Sequence, residues 1–426
     1  MCLDEAKGTD KIMNGYLVSE KEADCVGCGA CVQICSHHAI CMTENRYGFI
    51  YPQIDQKKCV QCGLCHNVCP MEHEIIKNPM NRLSFGGYIK DEKIRRNSTS
   101  GGAFTAICKA FCDTDYVIYG AASEGINVMH KEISDIDHID IFYSSKYAQS
   151  FIGNSYAKAK ADIQNGKKVL FSGTPCQIAG LYRYLKNVDQ GKLLTVEVLC
   201  TGIPSALFVK KYNEWCISKY GTAIKTFNYR YTGKNRWDDQ STYVELENGK
   251  IFITTRWFSR FYSIFLQRLM SRPSCNACRF VSNERVADIT LSDLWGVDRE
   301  YPELYDNGEG CSWIICNSEK GIQVFENAKK YMTGHEVDFE AMRRYQRPGL
   351  IQKTVHSRYK EFMEDILVMD YPQLCKKWYK KPTLRLLYQK RIWNNRRRVL
   401  LWKIKSKYNY IRHVLNNEGR KKLKIE

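Results

Sequence analysis

Apolar positions along the chain fall into short strand-length runs separated by helical spacings. Tyr116–Ala122, Lys168–Phe171 and Thr195–Leu199 are apolar-rich runs of strand length, and the pattern predicts three short buried strands. Phe104–Phe111, Ser155–Asn165, Ile178–Leu185 and Phe258–Met270 carry helical spacing instead. Thr242–Thr254 folds about Asn248-Gly249, the strongest short hairpin signal. Between Arg46 and Asp55, Gly48 and Pro52 punctuate two short strands. A strand that runs through a small-residue turn into a helix, as over Lys168–Leu185, presents ligands at the carboxyl edge of an α/β sheet. The predicted fold is α+β to α/β. A small N-terminal domain spans about 20–75, a larger α/β unit follows in two parts at 85–190 and 191–350, and a basic helical tail fills 376–426.

Cysteine spacing gives the N-terminal domain its chemistry. Cys25, Cys28, Cys31 and Cys35 follow C-x2-C-x2-C-x3-C, and Cys59, Cys62, Cys65 and Cys69, with Pro70 after them, repeat it. Two such runs this close are the signature of a bacterial-type ferredoxin domain with two [4Fe–4S] clusters. Each cubane needs four thiolates, and the two-residue gaps let one tight loop wrap three corners. The fourth cysteine of each run crosses to the other cluster. Cys25, Cys28, Cys31 and Cys69 then form one ligand set, and Cys59, Cys62, Cys65 and Cys35 the other. Zinc knuckles also use C-x2-C pairs, but triplet-plus-one runs fit tetrahedral zinc poorly. Ser36 stands after the first run where proline follows the second, which loosens a turn without removing a ligand. Tyr47, Phe49 and Ile50 are expected to cover the clusters, whose potential depends on water access. His37, His38 and His66 read as exposed loop residues.

Twelve of the twenty cysteines lie outside these runs. Cys108, Cys112, Cys216 and Cys375 sit in helical patterns, and Cys2, Cys41, Cys311 and Cys316 read as buried structural thiols. Cys176 and Cys200 follow predicted strand ends in glycine-containing turns, while Cys275 and Cys278 form C-x2-C beside Pro273. Four such positions complete one more site, and zinc and a third [4Fe–4S] cluster are both compatible with the spacing. Ser100, Gly101 and Gly102 open the helix at Phe104. Free N–H groups there would seat an anion or phosphate, although an ordinary serine N-cap on a glycine turn is the simpler reading of the spacing.

Length and charge set the remaining bounds. A chain of 426 residues is expected to hold two or three domains, and 44% apolar residues suffice for a sizeable core. The N-terminus shows no apolar signal region, and no run of eighteen apolar residues occurs. The expectation is a cytoplasmic, reduced, oxygen-sensitive protein whose thiols hold metal. The net charge of +18 is concentrated: Lys376–Glu426 holds eighteen Lys or Arg against two Glu, which leaves the body nearly neutral. Leu384–Trp393 and Arg396–Ile404 alternate basic and large apolar residues at helical spacing. Such a helix suits an anionic membrane surface, at about 1 kcal/mol per Lys or Arg near the headgroups. Its Trp, Leu and Ile content favours lipid or a protein partner over nucleic acid. Peripheral contact with the inner face of the membrane is the expectation.

Six motifs occur in order: Ser98–Gly102, Lys146-Tyr147 with Gln149-Ser150, Gly173–Gln177, Leu199–Pro204, Arg272–Cys278 and Ala287–Gly296. Together they resemble the coenzyme F420 hydrogenase/dehydrogenase beta-subunit family, which also includes chlorophyll-cycle reductases. The resemblance covers about Cys25 to Gly310, with a fused N-terminal ferredoxin domain. It implies an FAD-binding α/β domain with an additional [4Fe–4S] cluster beside the flavin. By position, Cys176, Cys200, Cys275 and Cys278 are the ligands of that cluster. Ser100, Gly101, Gly102, Lys146, Gln149, Ser150, Gly173 and Thr174 are implied on the flavin side, which favours the phosphate seat. Lys146 and Asp293 are the implied catalytic candidates, Lys146 as a positive charge near flavin or substrate. Ser292 stands where glycine is expected and Thr201-Gly202 where His-Gly is more usual, so the local substrate contacts stay open. The implied function is an iron–sulfur flavoprotein oxidoreductase that exchanges electrons with a redox partner protein. Its organic two-electron acceptor is coenzyme F420 or another substrate, with surface polysaccharide metabolism in an anaerobe as the setting that fused members suggest. The alternative is a non-catalytic electron carrier that feeds a partner enzyme.

Overall fold

The computed structural model describes residues 15–78, 83–113, 115–233, 237, 240–305, 309–351, 354–385, 401, 403–412 and 414–415. Much of the basic tail and Cys2 lie outside the described residues. Among the described residues no helix is long and apolar enough to cross a membrane.

In the ferredoxin part, β1 (Ile40–Glu44) and β2 (Ile50–Ile54) pair antiparallel. The first strand lies earlier than its expected place after Arg46, and Pro52 sits inside β2, opposite Met42, where a break was expected. A two-stranded ladder has free edges, so a residue with no N–H is tolerated there. The cover over the cysteines also differs from expectation. Met42 and Pro52 line a small cavity with Cys25, Cys28, Cys31, Cys65 and Cys69. Phe49 and Tyr51 are buried in an aromatic core with Phe208 and Phe261, and of the cysteine ligands only Cys25 is among the residues packed against it.

The larger part contains β3 (Leu83–Ile89), β4 (Tyr116–Glu124), β5 (Asn127–Ile133), β6 (Lys168–Gly173), β7 (Leu193–Val198), β8 (Ile224–Tyr231), β9 (Ser241–Leu246), β10 (Ile251–Thr255), β11 (Ile289–Asp293), β12 (Ser312–Cys316) and β13 (Met332–Glu336). One eight-stranded sheet has the order β13-β3-β12-β11-β7-β6-β4-β5. Its centre, β11-β7-β6-β4, is parallel, and its flanks are antiparallel. The 85–190 and 191–350 parts thus share one sheet, and its four central strands end on one edge. The hairpin about Asn248-Gly249 forms as β9 and β10, and β8 completes a separate three-stranded sheet.

Alternation along the central strands builds two faces. Ile118, Leu170 and Leu194 point to one side, where Phe111 and Phe325 cover them. Val117, Tyr119, Val169, Phe171 and Leu193 point to the other, under helices Ser155–Gln164 and Pro175–Tyr184. Cys28, Ala30 and Val68 of the ferredoxin part belong to this second core. The ferredoxin part is therefore packed directly on the helical layer of the sheet. Each large apolar side chain so buried contributes roughly 1.5–3 kcal/mol before entropy is counted.

Two helices differ from their predicted spans. The stretch after Phe258 is helical only over Arg260–Phe265, because Arg268 takes a left-handed conformation, φ 61°, and turns the chain. The helix expected from Ile178 begins at Pro175, since Thr174 caps it and proline suits its first turn. Cys176 consequently lies in a helix and not in the turn before it. Cys41, expected to be buried, is exposed on β1, while Cys311 and Cys316 are buried as expected.

Candidate functional site

The carboxyl ends of the central strands open into a cavity of about 560 Å³. Gly173 and Thr174 reach it from β6, Cys200 from the loop after β7, and Asp293 from the end of β11. Ser100, Gly102, Lys146 and Ser150 complete one wall. Gly102 has φ 74° and N-caps helix Ala103–Phe111 with no side-chain cap bond. The ordinary serine cap is therefore absent, and Gly102, Ala103, Phe104 and Thr105 line the cavity at the helix's positive end. Ser100 is committed elsewhere: its hydroxyl donates to Asp293 Oδ1 at 2.6 Å.

Two implied flavin-side residues lie off the cavity wall. A Cβ on Gly101 would stand 2.4 Å from the Ser312 nitrogen, so its smallness serves close packing on β12 and β3. Gln149 faces the ferredoxin part, donating to the carbonyls of Val26 (3.3 Å) and Gly27 (3.1 Å). Its own carbonyl accepts from Arg272 Nη1 at 3.0 Å. Arg272 is fully buried, donates to the carbonyls of Cys25 and Ile50 at 2.9 Å each, and lies 4.2 Å over the Tyr51 ring. Gln149 and Arg272 together clasp the first cysteine loop to the larger part.

Asp293 is held on both oxygens, by Ser100 and by Arg230 Nη1 at 2.5 Å, and its backbone carbonyl accepts from Gln346 at 2.5 Å. Burial opposes the charge of Arg230, but the Asp293 carboxylate, together with Tyr147 and Tyr262, outweighs that and the guanidinium stays protonated. A carboxylate tied this way fixes the orientation of its neighbours. Trp295 also lines the cavity and stacks on Trp237 at 4.6 Å.

Lys146 donates to the Tyr143 carbonyl at 2.7 Å, and burial draws its pKa down to about 7. His130 sits deeper. Its Nε2 meets the Ser172 carbonyl at 2.9 Å and its Nδ1 meets the Ser150 hydroxyl at 2.7 Å. A carbonyl only accepts, so Nε2 carries the proton and Ser150 donates to Nδ1. Burial holds this ring neutral, with a pKa of about 4. Sequence reasoning missed His130, although it occupies the inward register of β5 two residues after buried Val128. It also missed Arg230, and it gave Arg272 and Trp295 no role although both lie in its motifs.

Behind the cavity wall the four remaining candidate cysteines meet. Cys176 stands in the first turn of helix Pro175–Tyr184, Cys275 in helix Pro273–Asn276 and Cys278 just beyond it. Burial pushes the Cys176 thiol well up, and the thiols of Cys200, Cys278 and Cys275 add to this because they face it. The Ile203 N–H points at Cys275 Sγ at 3.4 Å, and Thr174 Oγ1 lies 3.2 Å from Cys176 Sγ. Arg268 approaches the thiols of Cys275, Cys200 and Cys278 while donating to the Thr201 carbonyl at 2.8 Å.

In the ferredoxin part, burial raises Cys28, and Cys31, Cys69 and Cys25 raise it further by facing it. Cys65 is raised by burial with smaller contributions from Cys59 and Cys62. The Gly27 N–H approaches Cys25 Sγ and the Ala39 N–H approaches Cys35 Sγ, both at 3.3 Å. Such N–H···S contacts stabilise thiolate charge. Among the described residues no three His, Cys, Asp or Glu side chains close tightly enough on one point for a single metal ion. His37 and His38 are exposed, and His66 pairs with Glu72 at 3.0 Å.

Two parts of the chain match known protein families. Residues 166–340 match the family described as the C terminus of the coenzyme F420 hydrogenase/dehydrogenase beta subunit. Residues 24–73 match the 4Fe–4S dicluster domain. Among solved structures, a chain of the xenon-derivatized F420-reducing [NiFe] hydrogenase complex from Methanosarcina barkeri is similar at 16% identity. The match covers 68% of this chain and 95% of that one, with a TM-score of 0.44. No curated protein matches the chain. The chain is thus an iron–sulfur electron-transfer protein, matching a 4Fe–4S dicluster domain over residues 24–73 and related over residues 166–340 to the coenzyme F420 hydrogenase/dehydrogenase beta subunit.

Proposed function

We propose that the protein is an iron–sulfur flavoprotein oxidoreductase. In this reading electrons pass from the ferredoxin part, by way of a further cluster at Cys176, Cys200, Cys275 and Cys278, to FAD and an organic acceptor in the cavity. The observation that carries it is a shared wall: Cys200 lines the cavity and also faces Cys176. Thr174 does the same, lining the cavity with its hydroxyl beside Cys176 Sγ.

The residues suit the cofactor. The helix end at Gly102 and Ala103 offers N–H groups to a phosphate, and the basic side chains of Lys146 and Arg256 also line the wall. FAD would supply the conversion between one-electron and two-electron transfer. The chain's own residues do the rest. Asp293 and Arg230 hold the end of β11 in place, Trp295 offers an aromatic face, and Lys146 presents an ammonium whose charge depends on pH near neutrality. His130 keeps Ser150 oriented and does not titrate in that range.

Anaerobic reconstitution followed by iron and flavin assay tests the proposal. The expected result is about twelve iron per chain, four for each of three cubanes, with about one FAD. About eight iron and no flavin would leave only the carrier and overturn it.

A further inference from the structure

The two thiol sets of the ferredoxin part differ in what surrounds them. Cys62 is exposed, Gly63 next to it faces open space, and Val60 and Leu64 are 56% and 40% exposed. Cys28 of the other set is buried against helix Pro175–Tyr184. A Cβ placed on Gly180 of that helix would stand 3.0 Å from Cys28 Sγ and 3.2 Å from the Tyr156 hydroxyl. The backbone of Gly180 is not left-handed, so conformation does not demand glycine there. Glycine inside a helix is destabilising against alanine, because it gives up more backbone freedom on folding. Space for Cys28 is what the position gains.

The same helix carries Cys176 one turn earlier, about 6 Å along the axis. Tyr156 closes the gap from the side. It is fully buried, donates to the Gln177 carbonyl at 2.8 Å, and lies near the thiols of Cys28, Cys176 and Cys31 alike. Its backbone N–H and that of Ala157 donate to Gln33 of the first cysteine helix at 3.0 and 3.1 Å.

We propose an order for the relay. The set of Cys59, Cys62, Cys65 and Cys35 is the outer side, which receives electrons from a one-electron carrier protein. The set of Cys25, Cys28, Cys31 and Cys69 is the inner side, and Gly180 and Tyr156 are positioning residues that fix its distance to Cys176. This rests on the reading of Cys176, Cys200, Cys275 and Cys278 as a cluster site. In the step itself one electron leaves the inner centre, which is oxidised, and arrives at the Cys176 centre, which is reduced. No bond forms or breaks, and Tyr156 keeps its proton and its electrons.

The test uses the full chain, reconstituted anaerobically, as wild type, Gly180→Ala, Gly180→Val and Tyr156→Phe. Iron content, the spin–spin splitting in the EPR spectrum of dithionite-reduced protein, and the stopped-flow arrival of electrons at the third centre are measured. Gly180→Val is expected to keep its iron, lose splitting, and slow arrival about tenfold, within the cost of an ångström-scale misplacement. Gly180→Ala should shift both readouts the same way by less, and Tyr156→Phe, which keeps the ring, should stay within about twofold of wild type. Wild-type splitting and rate in Gly180→Val would overturn the order. If that variant loses iron, unchanged readouts in Gly180→Ala would overturn it equally. Only eight iron in the wild type would instead overturn the third-cluster reading beneath the proposal.

Discussion

A lysine ammonium kept from water gives up its proton more readily, and Lys146 is drawn down to about 7 by burial. It is charged below that pH and neutral above it. If the cavity holds FAD as proposed, its affinity for FAD should therefore fall as pH rises from about 6 to 8, by five- to tenfold for one partly shielded charge pair. Flavin fluorescence quenching measures this. Lys146→Met should remove the pH step, and Lys146→Arg should preserve tight binding at pH 8. An unchanged step in Lys146→Met would assign it to another group; His130, at about 4, is already neutral throughout. The linkage to stability has the opposite sense. The unfolded lysine keeps its proton to its ordinary 10.5, so folding gains stability as pH rises from about 7 towards that value. At this scale the cysteines are the most legible residues, because ligand spacing is written directly in the chain. The fully buried arginines Arg230, Arg272 and Arg285 are not, since a charge count treats every arginine as solvated. What makes each of them tolerable is a partner distant in sequence: Asp293 for Arg230, Glu197 for Arg285, and the Cys25 and Ile50 carbonyls for Arg272.

Helix Pro175–Tyr184 is the element that joins the ferredoxin thiols to the cavity, and Gln177 holds its start. The Gln177 amide oxygen accepts from the Thr174 N–H at 2.9 Å and the Thr174 hydroxyl at 3.0 Å, and its NH2 group donates to the Ser150 carbonyl and hydroxyl at 3.2 and 3.1 Å. Gln177→Leu would leave buried partners unpaired at a cost of about 2–3 kcal/mol. It should lower the unfolding midpoint and, by loosening Cys176, weaken iron retention at the third site while the ferredoxin signals persist. Equal loss of all EPR signals would show that Gln177 supports the whole fold and not this helix start. The helix's existence is legible from its spacing. Its first turn is not, because the strand–turn–helix pattern leaves Thr174-Pro175 in the turn, where the structure uses them as cap and first residue. The span after Phe258 fails for the converse reason: helical spacing continues past the point where Arg268 turns the backbone.

At the scale of the molecule, the ferredoxin part is wedged into the rest of the chain. Phe49 and Tyr51 enter one core, Cys28 and Val68 another, and Arg272 and Gln149 clasp the loop between them. The sequence alone sets the two parts side by side, since local motifs carry no record of contacts formed over two hundred residues. The mixed α/β class, the hairpin and the cysteines that meet behind the cavity are nonetheless legible in it. The wedge leaves Cys62 exposed on one side, sets Tyr156 between Cys28 and Cys176, and brings Cys176 to Cys200 on the cavity wall. The measurement that tests the proposed relay most directly is an anaerobic reductive titration of the reconstituted full chain, with cluster and flavin absorbance followed together. About five electrons are predicted to enter each chain, one for each of three clusters and two at the flavin. An end point at about two electrons, with no flavin bleaching, would contradict the relay.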